Sequence, residues 1–182
     1  MRELALHILD IMQNSIAANS SRIVVAVNAD TENDRLTISV QDNGKGMSPD
    51  FAAKVLDPFV TTRTTRRIGL GLPMLAAAAE ACNGKLKLDT APGRGTNVKV
   101  TFALNHIDRA PFGDIISTIV NTIVSYPEIS FRYEHTVNGK QFVLDTDEIN
   151  AQLQGVPISE PSVARWLRDY MRQGISDVGL IA

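Results

Sequence analysis

The sequence predicts a two-layer α/β sandwich, an antiparallel or mixed sheet with helices on one face, plus a small α+β C-terminal extension. Three observations predict it. Residues 2–18 carry an apolar arc at helical spacing, the segments after it alternate as strands do, and helical stretches interrupt those strands. With 182 residues and 44% hydrophobic content, the chain can bury one sizeable core and a small second unit. The division is expected at residue 108, with 1–108 as the first domain and 109–182 as the extension.

Each element has its own warrant. Leu4, Ile8, Ile11, Met12, Ser15 and Ile16 fall on one arc, so 2–18 reads as an amphipathic helix with that arc on a core. Strands follow near 22–28 and 35–42; in the second, Leu36, Ile38 and Val40 face one side and Thr37, Ser39 and Gln41 the other. A short helix over 49–55 and a longer one over 70–82 precede strands near 84–90 and 96–104, where Lys85-Leu86-Lys87-Leu88 alternates again. Beyond residue 108, Ile115, Ile116, Ile119, Val120, Ile123 and Val124 mark a helix. A hairpin over 128–137 and 140–146 turns at Asn138-Gly139, a type I′ signal. A last helix over 160–173 starts near Ser159 and Pro161. It is expected to bury Val163, Trp166, Leu167, Tyr170 and Met171, with Arg165, Arg168 and Arg172 as an outward stripe.

Several residues carry chemistry. Asp10 and Asn14 are four apart and share one face of the first helix, beside its apolar arc. A carboxylate and an amide oxygen there suit a hydrated magnesium ion, which takes hard oxygen ligands and keeps several waters. Asp42 ends a strand and is followed by Asn43-Gly44-Lys45-Gly46-Met47. A carboxylate so placed can accept from an amino group on a base, and the glycines permit close backbone approach. Gly69-Leu70-Gly71-Leu72 opens a helix, where free N–H groups attract phosphate oxygens. The common phosphate loops do not fit. The third Rossmann glycine position is Met74, and none of Gly44-Lys45, Gly84-Lys85 or Gly139-Lys140 precedes Ser or Thr.

Taken in order, Asp10 to Asn14, Asp42 to Met47, Asp57-Pro58-Phe59, Gly69 to Leu72 and Gly93-Arg94-Gly95-Thr96 resemble the nucleotide pocket of the GHKL superfamily. That superfamily holds DNA gyrase B, heat-shock chaperones, sensor histidine kinases and MutL-type repair ATPases; the resemblance covers residues 1–104. It implies a Bergerat-type ATP-binding fold, with ATP and Mg2+ as ligands. By resemblance, Asn14 holds the magnesium, Asp42 contacts the adenine directly beside Gly44 and Gly46, Met47 lines the base, and Thr96 supports the adenine contact through water. Gly69, Leu70, Gly71 and Leu72 match the phosphate-binding turn. Phe59, Thr61, Thr62 and Arg63 match the start of the ATP lid, in a form similar to Phe-x-Thr-Thr-Lys of some nitrogen-regulatory kinases, with Arg66 and Arg67 as further lid cations. Asp10 stands where gyrase-like ATPases carry the glutamate that polarises the attacking water and histidine kinases carry asparagine. Aspartate is one methylene shorter, so this position leaves hydrolysis and phosphotransfer both open. Ala17 departs from the basic residue of many histidine kinases.

The function expected is that of a Mg-ATP-binding histidine kinase-like ATPase or kinase in signal transduction, one that transfers the γ-phosphate to a partner protein or hydrolyses ATP slowly. Two alternatives are a non-catalytic ATP-sensing regulatory subunit of a larger complex and an anti-sigma-type serine kinase. The chain opens at the first pocket helix, so it is expected to stand alone, without a phospho-accepting helical hairpin. The partners expected are a phospho-acceptor or complex subunit and a second copy in a homodimer. A net charge of −2, with the acidic excess beyond residue 108, argues against nucleic acid. No membrane-length apolar run and a lone Cys82 point to the cytoplasm.

Overall fold

The computed structural model describes residues 3–56 and 71–181. The chain runs through α1 (Leu4–Ala17), β1 (Arg22–Asp30), β2 (Arg35–Asp42), α2 (Pro49–Val55), α3 (Gly71–Ala81), β3 (Lys85–Ala91) and β4 (Gly95–Ala103). It continues with α4 (Ile115–Ser125), β5 (Ser130–Val137), β6 (Lys140–Asp145), α5 (Thr146–Gln152) and α6 (Pro161–Val178). The six strands form one sheet in the order β3-β4-β2-β1-β5-β6. Every neighbouring pair is antiparallel except β1 and β5, which run parallel, so the sheet is mixed.

Alternation decides which face is covered. Ile23, Val25, Val27 and Ala29 of β1, and Leu36, Ile38 and Val40 of β2, are buried, while their neighbours in sequence are not. Val98, Val100 and Phe102 of β4 and Phe131 and Tyr133 of β5 extend that apolar face. Helices α1, α3, α4 and α6 cover it with Ile8, Met12, Leu75, Ile119, Val120, Leu167 and Met171. Each such aliphatic side chain contributes about 1.5–3 kcal/mol by leaving water. The opposite face keeps Thr37, Ser39, Lys99 and Glu134, the polar half of the pattern.

Residues 109–181 fold as the expected helix, hairpin and helices, and Asn138 and Gly139 both take positive φ at the hairpin turn. The boundary expected at residue 108 does not separate two sheets. β5 pairs with β1 from Arg22↔Ser130 to Ala29↔Val137, and one apolar core runs beneath both parts. The segment before α4 also caps α1: Leu4 N–H donates to Pro111 O at 3.0 Å and Ala5 N–H to Phe112 O at 2.9 Å. The extension therefore fixes the helix that carries Asp10 and Asn14.

Helix α6 corrects one expectation. Trp166 and Tyr170 are 46% and 40% exposed, because the buried stripe runs through Val163, Ala164, Leu167, Met171 and Ile175. The two rings lie beside that stripe and stack on each other, with centroids 5.1 Å apart and planes 10° from parallel. Of the arginine stripe, Arg168 reaches across to Asn121 Oδ1 of α4 at 2.8 Å and Arg172 pairs with Asp169. Among the described residues, no helix is long and apolar enough to cross a membrane.

Candidate functional site

Register builds the site. Asp42, the last residue of β2, pairs with Thr96 on β4, and Thr96 pairs with Thr90 on β3. Three polar side chains therefore lie in one row across the sheet, at the end of strands whose other inward residues are apolar. Asp42 is 7% exposed. Its Oδ2 accepts from Ser15 Oγ at 2.7 Å, and its Oδ1 accepts from Gly44 N–H at 2.8 Å. A carboxylate has about four acceptor positions, so among the described residues each oxygen keeps one free.

The carboxylate borders a cavity of about 400 Å³ between α1, α2, α3 and the sheet end. Asn14, Asp42, Gly46, Met47, Leu72 and Thr96, all expected in the site, line it together. Ile11, Ser15, Phe51, Val55 and Val98 complete a largely apolar wall. Ser48 starts α2 by accepting from Phe51 N–H at 3.3 Å, with Pro49 at the first helical position, and so sets Phe51 and Val55 against the cavity.

The glycine-bearing loop is held on all sides by the protein's own backbone. Asn43 Oδ1 accepts from Ser21 N–H and Arg22 N–H, both at 2.9 Å, while Lys45 N–H donates to Ala18 O at 3.0 Å. A Cβ on Gly46 would stand 1.9 Å from Ala91 O, and one on Gly95 would stand 1.9 Å from Asp42 O. A Cβ on Gly44 would meet Ser20 Oγ at 2.6 Å and Ala18 O at 2.8 Å. Gly44 and Gly46 thus have a packing role within the chain itself, beside the room for a base expected of them. Their missing side chains let three backbone segments close on one another, and that closure fixes Asp42.

Asp10 stands apart from this cavity. Its carboxylate rests on Gly71 at the start of α3, where a Cβ would come within 1.8 Å of Oδ2. Asp10 Oδ2 is buried and has no hydrogen-bond partner among the described residues, and burial raises its pKa. One turn earlier, His7 is buried with Nδ1 also unpartnered there, and burial lowers its pKa. Gly71 and Leu72 thus have different neighbours, Asp10 for the first and the cavity for the second. Phe59, Thr61, Thr62, Arg63, Gly69 and Leu70 lie outside the described residues, as do Arg66 and Arg67.

Sequence reasoning missed Ser15 and Thr90 as polar members of the site. Ser15 was visible as a hydroxyl on an apolar arc, a position that demands a buried partner. Thr90 gave no signal of its own, since its place follows only from its register with Thr96.

Comparison with known proteins agrees with this architecture. Residues 2–106 match the family described as histidine kinase-, DNA gyrase B-, and HSP90-like ATPase. The sensor protein kinase FleS of Pseudomonas aeruginosa is 40% identical over 108 residues, which is 59% of this chain and 26% of that protein. The chain thus spans about a quarter of that relative's length. Among solved structures, the N-terminal domain of a DNA repair protein superposes with a TM-score of 0.60 at 19% identity, covering 80% of this chain and 53% of that one. The MutL ATPase domain of Aquifex aeolicus, complexed with ADP, gives a TM-score of 0.50 at 14% identity, covering 85% and 70%. These two likenesses concern the fold, and they cover more of the chain than the family match does, reaching past β4. With the family match spanning more than half of its length, the chain belongs to the histidine kinase-, DNA gyrase B-, and HSP90-like ATPase family.

Proposed function

We propose that the chain binds Mg-ATP in this cavity and passes the γ-phosphate to a partner protein, or slowly to water, in a signalling role. The observation that carries this reading is the Asp42 carboxylate, buried and held by Ser15 and Gly44 with acceptor positions left over, at the edge of an apolar cavity. An acceptor-only group beside apolar walls fits a flat base with an exocyclic amino group. Met47, Phe51, Val55, Leu72 and Val98 would enclose the rings.

The residues present also fit a divalent cation. No group of three or more His, Cys, Asp or Glu gathers among the described residues, so the ion would rest on Asn14, phosphate oxygens and water. Held there by Asn14, magnesium would supply charge neutralisation on the phosphates. Gly69, Leu70 and Gly71 amides and the cations of 63–67 belong to the phosphate side of this proposal. Asp10 is its candidate base. A partner protein as phospho-acceptor, a homodimer and a cytoplasmic setting complete the reading.

One observation favours a second reading, a non-catalytic ATP sensor. The Asp10 carboxylate rests on Gly71 and does not line the cavity, so it stands off from a nucleotide held there, and geometry comes first in judging a base. Calorimetric titration with Mg-ATP, joined to release of γ-labelled phosphate, separates the readings. Binding lost in Asp42→Asn, with label released or found on a partner, supports the enzyme. Tight binding with neither outcome supports the sensor, and equal affinity in wild type and Asp42→Asn overturns the adenine assignment.

A further inference from the structure

We infer that Thr90 is a positioning residue for base selection: it fixes the donor direction of the Thr96 hydroxyl, so that Thr96 offers the cavity an acceptor only. The inference rests on the adenine reading above and goes beyond it to a residue that does not line the cavity.

The geometry is closed at Thr90 Oγ1. It donates to Gly95 O at 3.0 Å, accepts from Met47 N–H at 3.0 Å, and lies 3.0 Å from Thr96 Oγ1. A hydroxyl has one hydrogen and two lone pairs. With its hydrogen on the Gly95 carbonyl and one lone pair on the Met47 amide, Thr90 has only an acceptor left for Thr96. By distance either hydroxyl of the pair could be the donor; the Gly95 carbonyl, which can only accept, is what draws the Thr90 hydrogen and assigns the Thr96 hydrogen to Thr90. Thr96 lines the same cavity as Asp42, its partner across β2 and β4, and lone pairs are then all its hydroxyl has left to offer there.

Two acceptors side by side select what a base can carry at position 6. An amino group donates to them, whereas a keto oxygen meets their lone pairs. Without Thr90, the Thr96 hydroxyl is free to turn and donate into the cavity, and the keto base becomes less disfavoured. Thr90 also holds the Met47 main chain, but loss of that contact weakens all purine nucleotides alike and cancels in a ratio of affinities.

The test is a pair of calorimetric titrations, Mg-ATP and Mg-ITP, which differ only at the base edge in question. Wild type is expected to prefer ATP. Thr90→Val should cut the ATP-to-ITP preference by about five- to tenfold, the worth of one hydrogen bond. Thr90→Ser should keep the preference, and Thr90→Val should change nothing further when added to Thr96→Val. A Thr90→Val protein that keeps the wild-type ratio, or one whose effect simply adds to that of Thr96→Val, overturns the inference. If Thr90→Val melts too low to titrate, Thr90→Ala read against Thr90→Ser makes the same comparison. A wild type that binds ATP and ITP equally overturns this inference together with the amino-group contact to Asp42 but leaves nucleotide binding standing, whereas one that binds neither overturns the nucleotide reading as a whole.

Discussion

Ser15 Oγ lies 2.7 Å from Asp42 Oδ2, joining α1 to the end of β2 through two buried side chains that stand 27 residues apart in sequence. The serine satisfies a buried carboxylate and also fixes which of its lone pairs face the cavity. Ser15→Ala leaves Oδ2 without that donor, and a hydrogen bond to a charged group is worth about 1.5–3 kcal/mol. Urea unfolding should show a loss of that size, with ATP affinity lowered several-fold in titration. An unchanged midpoint would mean that the bond contributes nothing net.

The loop glycines yield a contrast that needs no ligand. Gly46 and Gly93 both take positive φ, at 66° and 74°, yet a Cβ on Gly46 strikes Ala91 O while one on Gly93 meets nothing within 4 Å. Gly93→Ala should therefore cost only the left-handed backbone penalty, about 1–2 kcal/mol. Gly46→Ala adds displacement of a backbone carbonyl and should cost more than about 3 kcal/mol. Equal losses in parallel urea titrations would show that crowding at Ala91 is relieved elsewhere.

The exposed ring pair on α6 gives a third expectation. Trp166 lies flat on Tyr170, whose ring in turn meets Phe142 edge-on with centroids 5.2 Å apart. Because both rings keep 40% or more of their surface in water, Trp166→Ala should cost only about 0.5–1.5 kcal/mol, the worth of an aromatic pair. Leu167→Ala, one residue on and fully buried, should cost about 2–5 kcal/mol. Thermal melts of the two variants check the order, and the reverse order would place the core stripe on the wrong side of the helix.

How much of this was legible in the sequence depends on the range over which each signal acts. The strand Arg35–Asp42 and the helix Pro49–Val55 match their expected bounds, because period and cap are local. The Asp42 position followed from the same alternation. Pairing of β1 with β5 did not, since about a hundred residues separate strands whose alternation looks alike from either side. Thr90 was invisible for a related reason: only register puts it behind Thr96. The glycines were legible as places that tolerate no side chain, but the atoms they admit belong to Ala18, Ala91 and Asp42. Trp166 and Tyr170 were misplaced because the helical spacing that marks a stripe also fits its flank.

Asp10 offers the sharpest separation of stability from chemistry. Its folded pKa is raised above the ordinary 3.8 by burial, so the folded state holds the proton more tightly than the unfolded chain does. For such a group stability falls as pH rises from near 3.8, until the folded carboxyl has ionised as well. Asp10→Asn removes that loss: its melting temperature should equal wild type below the window and exceed it above. A wild type that gains on the variant with rising pH would mean that the ionised carboxylate has found a partner. The kinetic consequence runs the other way. If Asp10 serves as the base, phosphate release should fall by about 10²–10⁴ in Asp10→Asn. ATP affinity should hold, because the carboxylate rests on Gly71 and stays outside the cavity lining. A variant that is more stable at neutral pH and slower, yet binds as before, would show that burial of Asp10 is kept for the reaction at the expense of the fold.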